Sequence, residues 1–179
     1  MSHDDFESER FRVERVLDIV GHAADRLDAR AYVPLSLLRD AVAFIGASED
    51  AAYEAGQVSA GEPTLSSCMA EHVAAREPLR AMHDALAAME RGEVSASSWF
   101  VRAARDYVRL RREHMRADDR LFAATARPGD HRGTPTAIEA VETEGTRHLY
   151  DRLVEESAML EVAAPAALPG VKPKRRGAK

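Results

Sequence analysis

The chain has few cysteines and no long apolar run, the features typical of proteins in oxidising compartments and in membranes. A single cysteine, Cys68, cannot form an intramolecular disulfide, which is typical of proteins in a reducing compartment. No stretch approaches the roughly 18 uninterrupted apolar residues that a membrane span needs. The acidic start MSHDDFESER is also unlike a signal peptide. We therefore expect a cytoplasmic protein with no membrane partner.

Aromatic residues, glycine and proline are also scarce. Aromatic residues make up 6% of the chain, and the ten glycines and eight prolines cluster between apolar segments. Alanine, leucine, arginine and glutamate dominate instead, and this composition favours helix over sheet. With 179 residues, of which 45% are hydrophobic, the chain has the size of one all-α domain with a single core.

The net charge of −5 hides an uneven distribution. The last eight residues, KPKRRGAK, carry five of the 25 basic side chains, so the rest of the chain has 20 basic against 30 acidic residues, a balance of −10. An acidic body repels nucleic acid, so we do not expect a nucleic-acid partner. The tail is interpreted as a solvated terminus, with docking to an acidic protein as the alternative.

Five segments carry apolar residues at helical spacing. The breaks between them lie at Pro34, at the Gly56–Pro63 stretch, at Gly92 and at RPGDHRGTP. Four segments of similar length with short connections predict an up-and-down antiparallel four-helix bundle. The fifth, from about residue 136 to 160, is expected to lie across one end of that bundle. The predicted domain spans residues 1–161, and an Ala/Pro-rich and then basic tail spans residues 162–179.

Ionisable side chains interrupt the apolar stripes of three helices. The helix-four stripe runs through Phe100, Ala103, Tyr107 and Leu110, and one turn further along it places His114 and then Asp118. The stripes of helices two and three place Glu49 and His72 on the inner side in the same way. Burying such groups alone costs several kcal/mol, so they need one another, water or a metal ion. The candidate metal ligands are Glu49, His72, His114 and Asp118.

Helix three, MAEHVAAREPLRAM, and helix four, YVRLRREHMRADDRLF, resemble the hemerythrin-like HHE domains. In that family these helices carry an EHxxxR-type segment and an H-x-x-x-[ED] segment followed by LF. SEDAAYEAG is similar to the family's helix-two segment, and EAVETEGTRHLYDRL to a helix that often follows the bundle. The resemblance covers residues 6 to about 160. It implies a four-helix bundle with a non-heme di-iron centre that binds O2 or senses oxygen, nitric oxide, peroxide or iron.

The resemblance assigns the two histidine ligands to His72 and His114 and the two carboxylates to Glu49 and Asp118. Where helices one and two of the family present histidines, this chain has Arg10 and Ile45. Arginine stays protonated and cannot ligate a metal, which argues against a dinuclear centre. The four remaining ligands could still hold one iron ion. Alternatively, Arg10 could pair with Glu49 or Asp118 in a polar core that contains no metal.

Two functions follow from this polar core. The first is a protein that holds iron with a reduced ligand set and handles O2, peroxide or nitric oxide, with the Tyr107 hydroxyl as a donor to the bound ligand. The second is an enzyme that acts on a small organic substrate with or without metal. In that enzyme a histidine is the general base, Asp118 orients it and Arg10 binds a substrate anion.

Overall fold

The computed structural model describes residues 3–58, 63–125 and 144–162, with side chains for residues 11–50, 73–117 and 145–160. Within these ranges the chain is all-helical, with five helices and no strands. The helices are α1 (His3–Asp28), α2 (Leu35–Val58), α3 (Pro63–Glu90), α4 (Ala96–Thr125) and α5 (Glu144–Val162). The tail predicted for residues 162–179 lies outside the described part from residue 163 onward.

α1 and α3 end in the same way, with one residue in the left-handed region. Gly92 has a φ of 80°, and the next amide, of Glu93, donates to the carbonyl of Ala88 at 3.0 Å. Arg30 has a φ of 57° and is followed by the equivalent bond from Ala31 to Arg26, at 2.8 Å. This six-to-one bond closes the last helical turn, and glycine adopts the required conformation without strain. The prediction that Gly92 ends the third helix is confirmed.

Apolar side chains from all five helices form the core. α4 contacts α1 and α3, while α2 contacts α1, α3 and α5, and α1 also contacts α5. Full burial of an aliphatic or aromatic side chain contributes about 1.5–3 kcal/mol, so the largest buried residues dominate the stability. They are Phe100, Leu17, Leu37, Leu38, Met82 and Leu153.

α5 lies alongside the first half of α2. The rings of Phe44 and Tyr150 are 6.2 Å apart, and Arg152 Nη2 lies 2.7 Å from Asp40 Oδ1. The hydroxyl of Ser36 donates to the carboxylate of Glu156 at 3.1 Å. Residues further along α2 therefore contact residues earlier in α5, so the two helices are antiparallel. The prediction that this helix lies across one end of the others is wrong, because its apolar residues pack along the side of α2.

None of the helices in the described ranges combines the length and the apolar character that crossing a membrane requires.

We predict that Phe100→Ala lowers the free energy of unfolding by about 3–5 kcal/mol, because it removes a fully buried ring from the core. Phe11 is 63% exposed, so Phe11→Ala is the matched control and should change stability by about 0.5 kcal/mol or less. Urea unfolding followed by circular dichroism measures both. Equal losses in the two variants would contradict this description of the core.

Candidate functional site in the helical core

One face of α4 carries three buried polar side chains. Tyr107, Arg111 and His114 follow one another at intervals of four and three residues, which places them on one side of a helix with 3.6 residues per turn. Tyr107 is 2% exposed, Arg111 6% and His114 8%. Arg105 and Asp106, on the other side of the same helix, are exposed. α4 therefore presents a phenol, a guanidinium and an imidazole to the interior.

α2 brings a carboxylate to this face. Glu49 is 2% exposed, and its Oε1 accepts a hydrogen bond from the hydroxyl of Tyr107 at 2.6 Å. Arg111 Nε lies 3.1 Å from the same oxygen, and both side chains are almost fully excluded from solvent. Removing either partner of such a pair leaves an uncompensated charge in the protein interior, which costs several kcal/mol. We call these three residues the Glu49–Arg111–Tyr107 cluster.

The contact between Glu49 and Arg111 is an ion pair rather than a well-aligned hydrogen bond. The Nε atom of Arg111 is buried and has no hydrogen-bond partner among the described residues, although Glu49 Oε1 is only 3.1 Å away. The distance permits attraction between the charges, whereas the direction of the N–H bond does not favour this oxygen. The charge of Glu49 therefore attracts the guanidinium, whose Nε–H donor has no hydrogen-bond acceptor among the described residues.

The cluster raises the pKa of Tyr107 well above its usual value. Burial is the largest cause, because it disfavours the phenolate, and the negative charge of Glu49 adds to the effect. The positive charge of Arg111 acts in the opposite direction and is the smaller influence. The Tyr107 phenol consequently stays protonated at neutral pH and acts as a hydrogen-bond donor to Glu49.

The structure describes the side chains of four of the seven predicted site residues. Glu49, Tyr107, His114 and Ile45 are buried in the core, as expected. Only the backbone is described for the other three predicted residues, which are His72 in α3, Asp118 in α4 and Arg10 in α1. The proposed set of four ligands therefore stays a prediction. Among the residues searched there is no group of three or more His, Cys, Asp or Glu side chains suited to a metal ion.

Arg111 is the residue of the cluster that sequence reasoning missed. The predicted stripe of α4 passed through Leu110, which is only half-buried, whereas Arg111 is buried. A stripe that alternates steps of four and three would have included it, through Phe100, Ala104, Tyr107, Arg111 and His114. Arginine at an inner position is rarely assumed without a known partner, because arginine is almost never fully buried unless paired.

The two surface grooves described for this chain lie away from the cluster. One, of about 570 Å³, lies between α3 and α4 and includes Trp99 and Pro78. The other, of about 800 Å³, lies at the turn after α1 and the start of α4 and includes Arg30. Neither is lined by Tyr107, Arg111 or His114. The cluster is therefore an interior feature rather than the wall of either groove.

Comparisons with models of protein families, with curated proteins and with solved structures each found no match. The resemblance of helices three and four to the hemerythrin-like domains therefore stays a prediction from the residues.

We predict that Glu49 and Arg111 are strongly coupled. Arg111→Met should lower the free energy of unfolding by about 3–5 kcal/mol, because it leaves a buried carboxylate without its counter-charge. Glu49→Gln should also be destabilising, because it leaves the buried guanidinium of Arg111 without the charge of Glu49. The double variant should recover much of the loss, since neither charge is then buried alone. Urea unfolding of the four chains measures the coupling, and costs that simply add would show that the pair does not exist in solution.

The raised pKa of Tyr107 predicts a loss of stability in alkali. Below about pH 10 the phenol is protonated in both the folded and the unfolded chain. Above that pH the unfolded chain releases the proton while the folded chain retains it, so stability falls by up to about 1.4 kcal/mol per pH unit until the folded pKa is passed. Unfolding experiments between pH 9 and 11 should show a shallower fall for Tyr107→Phe. If the free energy of unfolding falls equally with pH in the parent protein and in Tyr107→Phe, the raised pKa of Tyr107 is contradicted.

Proposed function

We propose that α1 to α4 form an antiparallel, up-and-down four-helix bundle of the hemerythrin-like type, with α5 added beside α2. The order of the ion pairs supports this arrangement. Arg105 pairs with Asp25 and Asp28 of α1, whereas Arg112, further along α4, pairs with Asp18. Between α2 and α3, Arg39 pairs with Glu90, and Arg76 pairs with Asp50. In both helix pairs the numbers fall along one helix as they rise along the other, which is the order that antiparallel neighbours require.

The function we propose for this core is the binding of one iron ion, through His114 together with His72 and Asp118. The single observation that carries the proposal is the burial of His114 on the same face of α4 as the cluster. When bound, iron would supply the site that takes up O2, peroxide or nitric oxide. An imidazole and a carboxylate one turn apart on a helix are a ligand pair that divalent metals accept.

The contacts of Glu49 favour one metal ion over two. An ion at Glu49 would have to share a carboxylate whose Oε1 already accepts the hydroxyl of Tyr107 and faces Arg111 at 3.1 Å. A guanidinium does not lose its proton in proteins, so its charge opposes any cation at this oxygen. Glu49 then serves as the counter-charge of Arg111, and the Tyr107 hydroxyl holds the carboxylate in place. The cation is left to the histidines and Asp118.

The second candidate is an enzyme that uses the polar core without metal, with His114 as general base. The observation that favours it is the Glu49–Arg111 pair itself, because this carboxylate is neutralised without any metal ion. A base in this position needs a carboxylate to orient its ring, and Asp118 is the residue assigned to that role. The substrate would be a small organic molecule that enters the helical core.

Iron content distinguishes the two candidates. Protein purified from iron-supplemented culture should carry about one iron per chain, and His114→Ala should lose it because it removes an imidazole ligand. His83 is exposed on α3, so His83→Ala is the matched control and should keep the iron. Elemental analysis against protein concentration measures all three. Two irons per chain, or iron retained in His114→Ala, would contradict the proposal, and no iron in the parent chain would favour the metal-free enzyme.

A further inference from the structure

Two side chains of α4 reach the carboxylate of Glu49 from the other side of the core. Both Tyr107 and Arg111 come from α4, and both act on the Oε1 atom, at 2.6 and 3.1 Å. The exposed fraction of the side chain is 1% for Glu49 and 8% for Arg111. A buried carboxylate needs a positive charge close by, and here the protein supplies that charge itself.

The guanidinium and an external metal ion compete for the same position. A guanidinium does not lose its proton in proteins, so an arginine cannot leave a carboxylate by becoming neutral. It is not fixed by a full set of hydrogen bonds either, because its buried Nε has no hydrogen-bond partner within the described residues. The guanidinium nevertheless lies beside Glu49 Oε1, where a bound cation would lie.

We infer that Arg111 is a resident counter-cation that closes Glu49 to external metal ions. This inference goes beyond the proposed function, since it states that a single residue, Arg111, limits how many metal ions the core can bind. It depends on the proposed function only for the ion at His114. The role of Arg111 at Glu49 holds whether or not that ion is bound.

Removal of the guanidinium should expose donors that suit a hard divalent ion. Glu49 would then offer a buried carboxylate that has lost the charge of Arg111, and the hydroxyl of Tyr107 lies 2.6 Å from its Oε1. Carboxylate and hydroxyl oxygens are ligands that Mn²⁺ accepts, so Mn²⁺ is the appropriate probe.

The test compares the parent protein with Arg111→Met and Arg111→Gln, which remove the charge, and with Arg111→Lys, which keeps it. Bound Mn²⁺ is counted by electron paramagnetic resonance, and thermal unfolding is followed with and without Mn²⁺. We expect the Met and Gln variants to bind about one more Mn²⁺ per chain than the parent, at least about tenfold more tightly than Arg111→Lys does. Their melting temperatures should rise with Mn²⁺ concentration.

The double variant Glu49→Gln/Arg111→Met is the matched control and should lose the additional ion, because it lacks both charges. If the Met and Gln variants are unfolded alone, recovery of their helical circular dichroism on addition of Mn²⁺ supports the inference. No additional ion and no such recovery in either variant overturns it, as does an additional ion that persists in the double variant. A parent protein without iron removes the proposed function but leaves these outcomes unchanged.

Discussion

The ion pair between Glu49 and Arg111 is the constraint on which the interior of this protein depends. Two charged side chains from α2 and α4 are almost completely removed from solvent, with 3.1 Å between Nε and Oε1. Neither charge is tolerable alone in that environment, so each fixes the position of the other. Tyr107 adds a hydrogen bond to the same carboxylate and thereby links the phenol to the pair. These side chains therefore connect α2 to α4 through the core, although the described parts of the two helices do not pack directly against each other.

Much of the helical framework follows from local sequence features. Apolar residues at helical spacing located the helices, and Gly92 located the end of α3, because a left-handed residue is needed there. The position of α5 could not be derived in this way. Its contacts with Asp40 and Phe44 of α2 depend on which surface was left uncovered by the other helices, and a local pattern carries no record of that.

The candidate site was predictable in part, for a physical reason. Glu49 and His114 were expected inside because they interrupt apolar stripes, and both are buried. The apolar pattern of α4 does not predict burial of Arg111, because its neighbour Leu110 is the more apolar residue. Only the partner on α2 makes a buried guanidinium tolerable, and that partner lies 62 residues earlier in the chain. Side chains that are buried in pairs cannot be predicted one at a time.

A crystal structure of the protein grown in the presence of Mn²⁺ tests the account most directly, because it shows which cation Glu49 holds. We expect Glu49 Oε1 to accept the hydroxyl of Tyr107 and to face the guanidinium of Arg111, with no metal ion within bonding distance of the carboxylate. A metal ion bound to Glu49, with the guanidinium of Arg111 turned away from it, would contradict the central claim.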